Sequence, residues 1–153
     1  MAEPDRLKLL ALDEEDLAVI SAHVQDAVLK VGDLVYLPKE RRFAVGMNRF
    51  IWEKADGRRR TYERRRAALS FDRVLAAQVC NLRRDQPDAV LELLAIGFEQ
   101  TEPESPGGHI TLYFAGGGAV RLAVECIETR LADLGAAWAT AQKPSHDLAA
   151  KIA

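Results

Sequence analysis

Apolar positions recur along this chain at two different periods. Leu17, Ile20 and Val24 repeat at three- and four-residue intervals behind the acidic run Asp13-Glu14-Glu15-Asp16. That run supplies an N-cap and negative charge for the positive end of a helix, and the spacing predicts one that ends between Ala22 and Asp26. Residues 7–12 before it form a short apolar segment, and residues 27–31 after it read as extended. From there the pattern is one of strands and tight turns. Gly32-Asp33 separates two β-rich runs, Pro38-Lys39-Glu40 the next two, and Asp56-Gly57 lies between residues 41–52 and 59–71. Each is a hairpin signal, Asp-Gly the strongest, because both central positions of a type I′ turn need a positive φ that these residues tolerate.

Residues 71–82 and 89–99 read as further extended segments, separated by the polar run 83–88. A loop over residues 101–108 follows. Residues 109–114 and 119–123 then flank Gly116-Gly117-Gly118 as a last hairpin. Val124, Ile127, Leu131 and Leu134 return to helical spacing, with Glu125, Glu128 and Asp133 off the stripe and Gly135 as the stop. The expected fold class is α+β: an N-terminal helix, roughly seven antiparallel strands and a C-terminal capping helix. The sheet is either curled or a pleckstrin-homology-like barrel, an analogy of element order.

A chain of 153 residues, 48% hydrophobic, suits a single domain over 1–153, with a mobile tail expected from about residue 139 and Trp138 anchoring it. The longest apolar runs fall short of the roughly 20 residues of a membrane helix, and the first residues lack the pattern of a secretory signal. No membrane partner and a cytoplasmic location are the expectations.

Charge changes the picture. The formal net charge is only -2, yet eleven of the 21 Lys and Arg residues fall within residues 39–66. Over residues 39–84 there are 14 basic and five acidic residues, a net +9, against -11 for the remainder. Such segregation creates a local field that the net charge hides. A two-residue Asp56-Gly57 turn would set Glu53 opposite Arg60, Trp52 opposite Thr61 and Arg49 opposite Arg64. The candidate binding residues are therefore Asn48, Arg49, Trp52, Arg58, Arg59, Arg60, Tyr62, Arg64, Arg65 and Arg66, because guanidinium forks pair with phosphate or carboxylate and aromatic faces stack. The competing account is a solvated strand edge whose arginines pair with the acidic remainder of the same chain.

No catalytic set stands out, and no cofactor or metal is implied. His23, His109 and His146 lack the spacing of a zinc site. Cys80 and Cys126 belong to no C-x-x-C pattern and read as reduced, partly buried thiols. The three glycines at 116–118 lead into a strand with no Gly-Lys-Ser/Thr after them, so turn chemistry accounts for them. Glu125 and Glu128 would project together from the final helix into solvent.

Four segments carry a resemblance: Leu9-Leu10-Ala11-Leu12-Asp13-Glu14-Glu15-Asp16-Leu17, Ser21-Ala22-His23-Val24-Gln25-Asp26-Ala27-Val28, Asn48-Arg49-Phe50-Ile51-Trp52-Glu53 and Asp133-Leu134-Gly135-Ala136-Ala137-Trp138. Together they resemble domain-of-unknown-function family 2948. The resemblance implies a stand-alone bacterial cytoplasmic protein and carries over no catalytic residues. The functional expectation is a non-enzymatic interaction module whose basic hairpin engages an acidic protein or RNA, with sequence-specific DNA unlikely in the absence of a helix-turn-helix, zinc-finger or RNP pattern. The alternative is a small enzyme or ligand-binding protein with a pocket between the sheet and the C-terminal helix, using His23 or His109. Homo-oligomerisation through sheet edges is a third expectation.

Overall fold

A computed structural model describes residues 6–52, 62–135 and 138–140 of the protein, with no account of the side chains of Tyr62 and 138–140. The chain opens with β1 (Lys8–Ala11) and α1 (Glu14–Val24). Asp13 caps the helix, its carboxylate accepting from the Asp16 N–H at 2.8 Å, and Leu17, Ile20 and Val24 form the buried stripe. Asp26, at φ 62°, turns the chain into β2 (Ala27–Lys30). Then come β3 (Leu34–Leu37), β4 (Arg42–Phe50), β5 (Tyr62–Phe71), β6 (Val74–Cys80), β7 (Val90–Gln100), β8 (Gly108–Phe114), β9 (Ala119–Val124), β10 (Thr129–Asp133) and β11 (Trp138–Thr140).

All these strands pair antiparallel, in the order β1-β10-β5-β4-β2-β7-β8-β9-β6, with β3 on β4 and β11 on β5. The two ends, β1 and β6, do not pair with one another, so the sheet does not close. It does curl. The Val74 N–H at the start of β6 donates to Arg41 O, beside β4, at 2.9 Å, although four strands separate β4 from β6 along the path. Inward residues from both ends share one core with α1, among them Leu131, Leu69, Val45, Leu112 and Leu122. Fully burying such a side chain contributes about 1.5–3 kcal/mol, which is what fixes the register of each strand.

Three sequence expectations are corrected here. The closing helix over 124–135 does not exist. That stretch is the end of β9, a turn, and β10, which lies between β1 and β5. Thr129, Leu131 and Asp133 point inward at period two, and the polar ends of that triplet conceal a strand pattern. Gly32-Asp33 is no hairpin turn either. Val28 pairs with Asn48 and Leu34 with Val45, so β2 and β3 lie along the same side of β4 with a 3-10 bend between them. Lastly, in the β4–β5 ladder Arg49 faces Arg65 and Phe50 faces Arg64, one residue out of the register expected from a two-residue turn. The turn itself, with Asp56-Gly57, lies outside the described residues.

Candidate functional site

The candidate residues described on β4 and β5 are sorted onto two faces by the alternation of these strands. Phe43, Val45, Met47 and Arg49 on β4 point inward, as do Arg65, Ala67, Leu69 and Phe71 on β5. Arg49 is 0% and Arg65 3% exposed. Two like charges facing each other across a ladder repel, and Asp133 at the end of β10 resolves the conflict. Arg49 donates to it as a fork, Nε to Oδ1 at 2.7 Å and Nη2 to Oδ2 at 2.9 Å, while Arg65 Nη1 reaches Oδ2 at 3.4 Å. The Leu7 N–H also donates to Oδ2, at 2.8 Å. Burial pushes the Asp133 carboxyl upward, but these hydrogen bonds and the two guanidinium charges outweigh it, and its pKa falls below the ordinary carboxylate value. Arg49 and Arg65 are thus interior residues tied to one carboxylate.

The outer face holds Asn48, Arg64 and Arg66. Arg64 lies over the Phe50 ring, 5.7 Å from its centroid, and its Nη1 donates to Asn48 O at 3.1 Å. Phe50 meets Trp52 edge-to-face at 4.6 Å, and the Trp52 indole N–H donates to Gln25 O at 2.8 Å, fastening the end of β4 to the exit of α1. Desolvation lowers the Arg64 pKa, partly offset by the carboxylates of Glu92 and Asp26. Asp26 is a buried acid that sequence reasoning missed. Its one legible signal is its place after the helical stripe, where Asp tolerates a left-handed backbone.

Arg66 is placed differently. The tip of its guanidinium sits over Gly46, where an added Cβ would stand 2.6 Å from Nη2. Asn48 Oδ1 and Asp33 Oδ1 accept from it at 3.4 Å each, and its side chain is 42% exposed. Arg58, Arg59 and Arg60 lie outside the described residues, as does the side chain of Tyr62.

Arg41, Arg42 and Arg73 of the basic stretch, together with Arg130, form a corner of ion pairs. Arg42 Nε donates to Asp72 Oδ1 at 2.8 Å and Arg130 Nη1 to Asp72 Oδ2 at 2.8 Å, while Arg41 pairs with Glu125 and Arg73 with Glu128. The hydrogen bond to Asp72 raises the pKa of the Arg42 guanidinium. Glu125 and Glu128 therefore act as partners of arginine in a turn and do not project from a helix.

The other chemistry is dispersed. His23 Nδ1 is 2.9 Å from Val19 O on its own helix, His109 sits in β8 between Glu99 and Ala123, and His146 lies outside the described residues. Cys80 is exposed on β6, which corrects the expectation of a partly buried thiol there; Cys126 is half-buried. Among the described residues no three His, Cys, Asp or Glu side chains converge as a metal site. A cavity of about 290 Å³ lies between the start of α1 and the loop after β7, bordered by Leu12, Asp13, Phe98, Ser105 and Cys126, and neither His23 nor His109 lines it. The pocket expected between the sheet and a C-terminal helix loses its location, since 124–135 is not helical. At 116–118, Gly116 and Gly117 take φ of 87° and 93° in the β8–β9 turn, the turn role expected of them.

Residues 7–146 match the model of a family described as protein of unknown function (DUF2948). The chain belongs to the DUF2948 family. No curated protein and no solved structure matches it. No helix among the described residues of this DUF2948 protein is long and apolar enough to cross a membrane.

Proposed function

We propose that this DUF2948 protein is a non-enzymatic binding module of one domain that engages an acidic partner through the outer face of its β4–β5 arms. The observation that carries the reading is the presentation of Arg66, half-exposed on Gly46 and restrained by two long hydrogen bonds that leave other donors of its fork open. Asn48, Arg64 and Trp52 belong to the same region, and Arg58, Arg59, Arg60 and Tyr62 complete the candidate set by their place in the sequence between and on these arms. Arg49 and Arg65 are removed from the binding set by their burial against Asp133. The partner chemistry is an acidic protein surface or RNA, since fork and aromatic contacts suit carboxylate and phosphate alike and need no base-reading motif. The setting proposed, following the family resemblance, is the bacterial cytoplasm.

Fluorescence anisotropy with a labelled single-stranded RNA and with a labelled polyglutamate peptide tests this at low salt. The expected result is binding to one of the two that weakens steeply with added salt and drops several-fold in Arg66→Gln and in Arg58→Gln/Arg59→Gln/Arg60→Gln. Failure of the wild-type protein to bind either probe, or unchanged binding by both variants, would sink the proposal.

A further inference from the structure

The two strands that end the sheet, β1 and β6, are protected differently. β1 is four residues long and starts at Lys8, two residues after Arg6, so charge guards that edge. β6 reads Val-Leu-Ala-Ala-Gln-Val-Cys, seven residues without charge or proline. Among the described residues β9 is its one strand partner. On its other side the Val74 N–H donates to Arg41 O and the Tyr36 hydroxyl donates to Leu75 O at 3.5 Å, so the first two residues are held from across the corner. Among the described residues, no strand lies against 76–80 on that edge. Ala76, Gln78 and Cys80 face outward and are exposed, while Ala77 and Val79 pack against the core. Leu75 on β6 and Val35 and Leu37 on β3 add exposed apolar surface at the same corner.

We propose that this edge pairs with the same edge of a second copy of the chain, as an antiparallel β6–β6 ladder about a two-fold axis at Gln78. A strand that meets its own copy must avoid placing like charges opposite each other, and this edge carries none. Pairing about Gln78 sets Gln78 opposite Gln78 and Ala76 opposite Cys80 of the second copy. The two side-chain amides can donate and accept across the axis, and the alanine leaves room for the thiol. A foreign strand chosen by charge would need a complementary charge on β6, which the sequence lacks. Unpaired N–H and C=O groups of an uncharged strand supply the main-chain bonds. The proposal uses none of the residues assigned to the acidic partner and stands or falls apart from that reading.

Light scattering on the full-length protein over a dilution series is the test. The expected mass is twice that of the chain at high concentration, falling to that of the chain in Gln78→Lys and in Ala76→Lys. Both substitutions sit at exposed outward positions, so circular dichroism should stay unchanged, and the thermal midpoint should match that of the wild type at dilutions where the wild type is a monomer. In a Cys80→Ser/Cys126→Ser background, Gln78→Cys should form a disulfide-linked dimer on mild oxidation, because the new thiols face each other at the axis. A wild-type monomer throughout the series overturns the proposal, whether hydrogen exchange finds the β6 amides open or covered by the chain itself. So does a dimer that survives both lysine substitutions, or one that gives no Gln78→Cys cross-link.

Discussion

Asp133 holds two guanidinium groups in the interior, and removing its charge leaves both cations buried and facing each other. Breaking such a buried set by deleting one partner costs about 3–5 kcal/mol, so Asp133→Asn should lower stability by that order in urea denaturation. The same carboxylate gives the molecule an acid-labile element. Its folded pKa lies below the ordinary value, so its contribution is fully present above about pH 5, where unfolded Asp is already almost wholly ionised. It is lost as pH falls through the depressed folded value. Urea midpoints measured from neutral pH downward should therefore fall more steeply for the wild type than for Asp133→Asn. Gly46 separates stability from presentation. A methyl there displaces the far end of the flexible Arg66 side chain, while removing a glycine from a strand favours folding by roughly 0.5–1 kcal/mol. Gly46→Ala should thus leave the urea midpoint unchanged or slightly raised and weaken binding of the acidic probe. Equal binding by Gly46→Ala and the wild type would separate Arg66 from the interaction.

At the scale of elements, the Asp13 cap and the pairing of β10 make contrasting demands. Asp13→Ala removes one side-chain acceptor at an exposed helix end and should cost about 1 kcal/mol in thermal or urea unfolding. Ala132→Pro should prevent folding, because β10 is paired on both sides, to Lys8 of β1 and Ala68 of β5, and proline is excluded from such a strand. A soluble, folded Ala132→Pro protein would contradict the strand. These two elements also mark how far the sequence was legible. The helix was readable because its acidic cap, its apolar stripe and its burial all agree. β10 was not, because the inward positions Thr129 and Asp133 are polar and the partners of Asp133, Arg49 and Arg65, lie over sixty residues upstream. The same disguise affected the candidate site. Arg49 and Arg65 looked like surface charge, yet the alternation of Val45, Met47, Ala67 and Leu69 places them inward. That alternation also carries the register: odd-numbered residues point inward on both arms, so partner numbers must sum to an even value, whereas a two-residue turn at 56–57 gives an odd one. Turn chemistry alone therefore misses the pairing by one residue.

At the scale of the molecule, part of the segregated charge is drawn into the fold among the described residues. Within the basic stretch, Arg41, Arg42, Arg49, Arg65, Arg66 and Arg73 pair with Glu125, Asp72, Asp133, Asp33 and Glu128. Four of those five acids lie outside the stretch, so its basic excess closes the sheet corner onto the acidic remainder. The sign of the salt response decides between pairing and display. Exposed pairs contribute about 0–1 kcal/mol each and are screened as the Debye length shrinks from about 10 Å at 0.1 M to about 3 Å at 1 M ionic strength. If pairing dominates, the thermal midpoint should fall as sodium chloride is added, and Asp72→Asn, which removes the nearest acidic partner of both Arg42 and Arg130, should show a lower midpoint with a flatter salt dependence. If a self-repelling patch dominates, screening relieves it and the midpoint rises instead. Because the buried Arg49–Asp133 pair is shielded from solvent ions, its contribution should persist across the series, leaving the exposed corner as the part of the network that salt can weaken.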